Sequence, residues 1–314
     1  MRFPPVTDSV LEAIGSTPVV QLKHLPEPGS AAICVKLEYF NPTGSYKDRM
    51  ALAMIEGAED RRLLRPGMRV IEFTGGSTGS SLAMVCAVKG YRFVPLCSDA
   101  FAREKIQTME AFGAEVEMVP SDGGKVTPAL FDRFRARIAE MKNEPETFWT
   151  DQFNNTDALN GYRQIGVELL EQVKDLDAFC GATGSAGMLV GVSRALKAGG
   201  SRARIIALEP SGSPLLTTGR GGAHRVEGTA PGFMPPHLAR SDYDEARAID
   251  EEQAREMARR LAKEEGIFAG ISTGLNVTAA LQLARELGPG HTVATVAVDT
   301  GLKYLAGDLF TRQT

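Results

Sequence analysis

Lys47 is the residue of this sequence best placed to act as an amine nucleophile. It follows the turn signals Asn41-Pro42 and Thr43-Gly44 and opens a long helical pattern. Ser45 is the predicted N-cap, and Asp48, three residues later, would form a weak capping box with it. The positive end of a helix dipole disfavours an ammonium in the first turn, and a Schiff base requires the neutral amine. The alternative is a solvated lysine at a helix start, because most lysines are exposed.

Two loops rich in glycine and hydroxyl groups follow apolar strands and precede helices. They are Thr74-Gly75-Gly76-Ser77-Thr78-Gly79 and Gly181-Ala182-Thr183-Gly184-Ser185-Ala186-Gly187. Unpaired backbone N–H groups at a helix start bind carboxylate or phosphate. One loop would take a substrate carboxylate and the other a cofactor phosphate. A tight turn without a ligand is the alternative.

A third candidate is Thr300, in Asp299-Thr300-Gly301 after the last strand. Its hydroxyl lies where the edge of a cofactor would rest, and a helix N-cap role is compatible with that. Pyridoxal phosphate fits this inventory, because it needs a Schiff-base lysine and a phosphate site.

A dinucleotide site competes with this interpretation. The second loop matches a loosened dinucleotide fingerprint, and Glu209 follows at the distance of a ribose-binding acid. The loop lies in mid-chain, however, and none of the six tyrosines has a lysine four residues later. A dinucleotide-binding oxidoreductase therefore stays as a minor alternative.

Alternating strand and helix patterns must position these residues. Apolar segments such as 69–73 and 292–298 alternate with helical patterns such as 46–64 and 274–287, which predicts doubly wound α/β domains. A composition shift near residue 146 predicts domains at 1–148 and 149–314, with strands within 15–40 able to pack on the second. Polar stretches at 121–127 and 211–247 are predicted loops.

Composition excludes several classes of function. The chain has 314 residues and a net charge of −4, which gives no indication of nucleic-acid or membrane binding. Scattered cysteines and histidines predict buried thiols of a reducing cytoplasm and no metal site. The start, Met1–Pro5, lacks the apolar region of a signal peptide, and no apolar run is long enough to span a bilayer.

The segment from Leu37 to Arg49 resembles the lysine segment of the cysteine synthase (O-acetylserine sulfhydrylase) and cystathionine β-synthase group of fold-type II pyridoxal-phosphate enzymes. Gly15-Ser16-Thr17-Pro18 is similar to the family's G-N-T-P, and Gly270-Ile271-Ser272-Thr273-Gly274 to its G-I-S-S-G. The resemblance covers nearly the whole chain. It implies a tryptophan synthase β-like fold of two parallel or mixed-sheet domains, with the cofactor cleft between them, and a homodimer.

The resemblance also implies residue roles. Lys47 is the catalytic residue and Schiff-base holder. The other cofactor-binding positions implied are Ser77, Gly184, Ser185, Ala186, Gly187, Met188 and Thr300. The substrate-binding positions implied are Thr74, Gly75, Gly76, Ser77, Thr78, Gln152 and Gly228.

The implied activity is β-replacement on an activated serine-type amino acid, through an aminoacrylate that a small nucleophile attacks. Elimination alone, as in a serine or threonine dehydratase, is the alternative, and a catalytically silent homologue is another. Several positions around the site depart from the family pattern. Ser77 stands where the family has an asparagine, and Gly75 where it has a serine. Leu302-Lys303 stands in place of a Glu-Arg pair. Ser185, Ala186 and Met188 depart from the family's phosphate-binding loop.

Overall fold

The computed structural model describes residues 6–125 and 127–311, so the predictions that concern Met1–Pro5 and Val126 lie outside the described residues. In the described part the strands are β1 (Val19–Gln21), β2 (Ala32–Leu37), β3 (Arg69–Phe73), β4 (Arg92–Cys97), β5 (Glu117–Met118), β6 (Thr147–Trp149), β7 (Ala178–Ala182), β8 (Arg204–Pro210), β9 (Glu245–Ile249) and β10 (Thr292–Ala297). The helices are α1 (Lys47–Asp60), α2 (Ser77–Lys89), α3 (Arg103–Ala111), α4 (Pro128–Met141), α5 (Asp157–Gln172), α6 (Gly187–Ala198), α7 (Leu215–Thr218), α8 (Glu251–Arg260) and α9 (Ile271–Leu287). No helix in this part is long and apolar enough to cross a bilayer.

The chain forms two compact units. The first contains Met1–Gly15 and Asn41–Gly161, and the second contains Ser16–Phe40 and Tyr162–Thr314. Each unit has its own sheet flanked by helices. The predicted class, two α/β domains with parallel or mixed sheets, is confirmed.

The first unit is built on a parallel sheet in the order β5-β4-β3-β6. Apolar residues of β3, β4 and α4, including Ile71, Leu96 and Phe134, form a core with at most a few per cent exposure. The central strands β3 and β4 are short and mostly apolar, as parallel strands covered on both faces must be. Both α1, which begins at Lys47, and α2 belong to this unit, so Lys47 and the loop from Thr74 to Gly79, called the first anion loop below, share one scaffold.

The predicted boundary at residues 148 and 149 falls inside β6, which pairs with β3 in the first unit. The two units divide instead between Gly161 and Tyr162. A strand of three residues is too short to show a period of two, and the turn signals before it looked like a linker.

The second unit has a mixed sheet in the order β1-β2-β10-β7-β8-β9, in which only the β1–β2 pair is antiparallel. Ser16–Phe40 joins this unit because β2 pairs with β10. The short helix α7 lies within the segment 211–247 that is predicted as a loop, and strand β9 begins near the end of that segment. Helices α8 and α9 cross closely, since a Cβ at Gly274 would lie 2.0 Å from the Ala254 carbonyl oxygen.

Candidate active site

Lys47 is the first residue of α1, as the turn signals predict, and it is half-buried. Its Nζ lies 5.1 Å from the centroid of the Tyr46 ring. The predicted N-cap at Ser45 is wrong by one residue, because Tyr46 occupies the cap position without a side-chain cap bond. The Ser45 hydroxyl instead accepts a hydrogen bond from the Lys47 N–H at 3.2 Å.

Asp48 connects the lysine turn to the neighbouring helix. Its buried carboxylate accepts hydrogen bonds from the Thr43 N–H at 2.8 Å, the Thr43 hydroxyl at 2.5 Å and the Ser81 hydroxyl at 2.6 Å. Ser81 lies on α2, which follows the first anion loop. A single carboxylate therefore holds the lysine turn against the helix of that loop.

The first anion loop is folded around the hydroxyl of Thr74. That oxygen accepts hydrogen bonds from the N–H groups of Gly76 at 3.3 Å and Gly79 at 3.2 Å. A Cβ built on Gly76 meets no heavy atom within 4 Å, so space for a ligand remains there. The Thr78 hydroxyl donates to Gln152 Oε1 at 2.9 Å, which brings together the two segments predicted to bind a carboxylate.

The floor of this loop is a neutral thiol. Cys97 Sγ donates to the Thr74 carbonyl oxygen at 3.1 Å, and burial raises the pKa of this thiol to about 12. The group is therefore protonated at neutral pH and stabilises the turn as a hydrogen-bond donor.

An aromatic ring covers Gly75. A Cβ at this position would lie 2.1 Å from Cγ of Phe101, so the ring occupies the space of a side chain there. Phe101 stacks on Phe134 with ring centroids 6.0 Å apart, and Phe134 stacks on Phe73. Where the resemblance implies a serine, position 75 is thus a glycine covered by an apolar ring.

The second anion loop connects β7 to the start of α6. Ala186 is the N-cap of α6 and has a left-handed backbone with φ of 63°, which is strained for a residue with a side chain. A Cβ at Gly184 would lie only 2.2 Å from the Gly228 carbonyl oxygen. The Ser185 hydroxyl is 8% exposed and bonds to no described residue. These features fit a phosphate, which would accept from this hydroxyl and from the first N–H groups of α6.

Met188 contributes to this loop through its backbone rather than its side chain. Its Cε would lie 2.6 Å from a Cβ on Gly181, so the side chain is directed into the unit. The end of β7 is fixed by Asn276 of α9, whose Oδ1 accepts from the Ala182 N–H at 2.8 Å. Nδ2 of the same buried amide donates to the Val296 carbonyl oxygen at 3.0 Å.

Thr300 caps a 3-10 turn over residues 301–304, as the N-cap interpretation predicts. Its hydroxyl oxygen accepts from the Leu302 N–H at 3.3 Å, which leaves its proton for an acceptor such as a ring nitrogen. The Thr300 backbone pairs with Ala269, and the Gly270 N–H donates to the Asp299 carbonyl oxygen. The segment that resembles the family's G-I-S-S-G and the Asp299-Thr300-Gly301 segment are therefore neighbours.

The predicted site residues fall into two groups. Lys47, the 74–78 loop and Gln152 lie in the first unit, and the 184–188 loop, Gly228 and Thr300 lie in the second. Sequence reasoning missed the roles of Phe101, Asn276 and Asp48. A polar residue inside an apolar helical pattern was the available signal for Asn276.

Glu209 is already committed to local structure. Its carboxylate is 1% exposed and accepts from the N–H groups of Leu216 and Thr217 and from the Thr217 hydroxyl. It therefore holds α7, and the role of a ribose-binding acid has no structural support.

A two-unit α/β protein with a half-buried lysine at a helix start and anion loops after parallel strands has the features of an enzyme of pyridoxal-phosphate chemistry. Residues 10–299 match the family described as "Pyridoxal-phosphate dependent enzyme", and the chain belongs to this family. Pyridoxal phosphate is accordingly its cofactor.

The relatives of the chain agree with the predicted resemblance. The chain is 40% identical to a cysteine synthase of Staphylococcus aureus over 96% of this chain and 97% of that protein. It is 38% identical to an O-ureido-L-serine synthase of Streptomyces lavendulae, over 98% and 93% of the two chains. The solved O-acetyl serine sulfhydrylase isoform 3 of Entamoeba histolytica superimposes with a TM-score of 0.91 at 31% identity, covering 100% of this chain and 96% of that one. The resemblance to the cysteine synthase group is confirmed.

Proposed function

We propose that this protein catalyses β-replacement on an activated serine-type amino acid, as a cysteine-synthase-like transferase. The observation that carries the proposal is the 2.9 Å hydrogen bond between the Thr78 hydroxyl and Gln152 Oε1. It joins two segments far apart in sequence into one group of donors suited to an amino-acid carboxylate. The names of relatives, cysteine synthase and O-ureido-L-serine synthase, support the same class of reaction.

The resemblance implies which residues would hold the cofactor. The 184–188 loop would bind its phosphate through Ser185 and the N–H groups at the start of α6, and Thr300 would donate to its ring nitrogen. Ser77 would contact the ring hydroxyl, and Lys47 would attach covalently through its amine. Pyridoxal phosphate, when bound, withdraws electrons from the amino acid's Cα and so makes loss of a β-substituent accessible.

Lys47 would also move the proton of the reaction. Its free, neutral amine would take the proton from the amino acid's Cα as a general base. Its position at the start of α1 favours this neutral form, because the helix dipole opposes an added positive charge.

The loop of the first unit would bind the substrate carboxylate. The donors are the N–H groups at the start of α2 and the NH₂ group of Gln152, whose amide is oriented by the hydrogen bond that its Oε1 accepts from the Thr78 hydroxyl. Thr74 holds its oxygen toward the loop's own N–H groups, so its proton is directed elsewhere and is available to the substrate. The resemblance also assigns Gly228 to the substrate.

A donor and nucleophile screen tests the proposal. The purified holoenzyme is incubated with O-acetylserine or O-phosphoserine and with sulfide, a thiol or an amine, and the products are identified by mass spectrometry. We expect a β-substituted amino acid whose formation depends on the nucleophile. Pyruvate and ammonia alone, whichever nucleophile is present, would replace this proposal with elimination.

The matched variants are Lys47→Ala and Lys263→Ala. Lys263 is an exposed lysine three residues after the end of α8. We expect Lys47→Ala to lose at least about 100-fold in rate, the lower range for removal of a general base. Its visible absorbance should also change, whereas Lys263→Ala should match the parent protein. Equal activity in both variants would contradict the role of Lys47.

We further propose a cytoplasmic homodimer. Four free thiols at Cys34, Cys86, Cys97 and Cys180 in the described chain support a reducing compartment. The exposed apolar side chains of Leu302 and Leu305, 65% and 56% accessible, support an interface between copies. Light scattering during size-exclusion chromatography measures the mass, and a monomer would contradict the dimer.

A further inference from the structure

Glu72 is a buried carboxylate next to the proposed substrate site for which the reaction has no use. It lies in β3, two residues before Thr74, and its side chain is 0% exposed. A charged residue in the middle of a buried parallel strand is costly unless its hydrogen bonds are satisfied. The partners of Glu72 therefore indicate what it stabilises.

Three donors converge on this carboxylate. Oε1 accepts from the Phe73 N–H at 3.0 Å. Oε2 accepts from the Gln152 N–H at 3.0 Å and from the Thr150 hydroxyl at 2.6 Å. Because two of the three donors are backbone groups, the carboxylate fixes the main chain at the end of β3 and at Gln152.

The charge of the Glu72 carboxylate depends on its surroundings. Burial raises the pKa of Glu72 to about 7 in spite of the three hydrogen bonds, and the nearby negative charge of Asp151 acts in the same direction. The three hydrogen bonds lower the pKa and burial raises it, so the loss of a donor would favour the protonated form of Glu72.

The main chain beside Gln152 needs such support. Asp151 has a left-handed backbone with φ of 47°, which costs free energy for a residue other than glycine. Gln152 follows directly, and its side chain receives the Thr78 hydroxyl and donates weakly to the Phe73 carbonyl oxygen at 3.4 Å. Both segments that would bind the substrate carboxylate are therefore attached to Glu72.

We propose that Glu72 is a positioning residue for the substrate carboxylate. It holds Gln152 and the entry to the 74–79 loop at a fixed separation, so that their donors meet one carboxylate group. The inference rests on the proposed function, because it assigns the 74–79 loop and Gln152 to the amino acid.

Glu72→Gln is the variant that tests this role. An amide of the same shape has one acceptor oxygen, so its NH₂ group must face either the Phe73 or the Gln152 N–H, and one backbone donor loses its partner. We expect the KM for the amino-acid donor to rise about tenfold or more, with kcat changed by less than about threefold. The Kd for the amino acid, from its effect on the cofactor's visible absorbance, should rise equally.

Glu265→Gln is the matched control. The Glu265 carboxylate accepts from the N–H groups of Lys23, His24 and Leu25, so the same substitution removes the same kind of contact outside the proposed site. We expect its KM and Kd to match those of the parent protein. Unfolding by denaturant is measured for both variants.

The outcomes separate a positioning role from a structural one. A Glu72→Gln protein that is less stable but has the parent's KM and Kd would overturn the proposal. If Glu72→Gln does not fold, Thr150→Val decides, because it removes the 2.6 Å hydrogen bond that holds Glu72 Oε2 beside the Gln152 N–H. A KM raised at least about threefold supports the proposal, and an unchanged KM overturns it.

The proposed function fails in a different way. If no donor gives product with the parent holoenzyme while the amino acid still changes the cofactor absorbance, β-replacement is wrong. The Kd comparison between Glu72→Gln and Glu265→Gln then still tests the positioning role, because it requires no turnover.

Discussion

Gly184→Ala tests whether the loop before α6 holds the cofactor phosphate. A Cβ at this position would lie 2.2 Å from the Gly228 carbonyl oxygen, whereas ordinary contact begins near 3.4 Å. Both groups belong to the main chain, so the loop and its neighbour must separate by about 1.2 Å. Overpacking of this kind costs about 1–3 kcal/mol. If the loop relaxes by opening, affinity for pyridoxal phosphate falls roughly 5- to 150-fold.

The assay is titration of the apoprotein with pyridoxal phosphate, followed by visible absorbance, together with an unfolding curve. Gly221→Ala is the control, because its Cβ would lie 3.6 Å from the Gly232 carbonyl oxygen, an ordinary contact. We expect weaker cofactor binding in Gly184→Ala alone. Unchanged affinity in a folded Gly184→Ala protein would refute the assignment of the phosphate to this loop.

Three further predictions concern stability. The pKa of Glu72 is about 7 in the folded protein, against an ordinary 4.5. Between these two pH values the folded protein binds more protons than the unfolded chain. The free energy of unfolding should therefore fall by up to about 3 kcal/mol as pH rises from 4.5 to 7. Denaturant curves at about pH 5 and pH 8 measure it, and an equally large fall in Glu72→Gln would contradict it. Gly75→Ser should lower stability by about 1–3 kcal/mol because of the Phe101 ring, and added Phe101→Ala should reduce that loss; additive effects would show that the two sites do not interact. Lys36→Met removes the buried partner of Glu168, whose side chain is 18% exposed. We expect the free energy of unfolding, measured by heat or denaturant, to fall by about 2 kcal/mol. A variant as stable as the parent protein would contradict a coupled pair.

Much of the fold could be predicted because its strands and helices carry strong local signals. Gly90 ends α2 in a left-handed conformation, with its N–H bonded to the Cys86 carbonyl oxygen. The helix before it has the apolar composition of a buried element. By contrast, β6 and β9 escaped prediction. The first has three residues. The second is an edge strand with charged residues, such as Arg247, which is paired with Glu286 of α9.

The site was only partly predictable for a related reason. Lys47 and the two anion loops are recognisable because residue type and turn chemistry are encoded locally. The role of Phe101 depends on a ring from another segment that covers Gly75, and no local pattern specifies that contact. Glu72 had a signal in the sequence, a charge inside an apolar strand. Its three hydrogen-bond donors, however, are known only from the folded structure.

The buried amide of Asn276 gives the molecule an internal reporter. Its Oδ1 holds the Ala182 N–H, and both residues are at most 7% exposed, so this amide proton exchanges with solvent only when β7 and α9 separate. Hydrogen-exchange protection at Ala182 therefore measures the local opening of the segment that leads into the 184–188 loop, without any substrate or turnover. Cofactor binding that slows this exchange would show that the ligand and the second unit's core share one cooperative unit of unfolding.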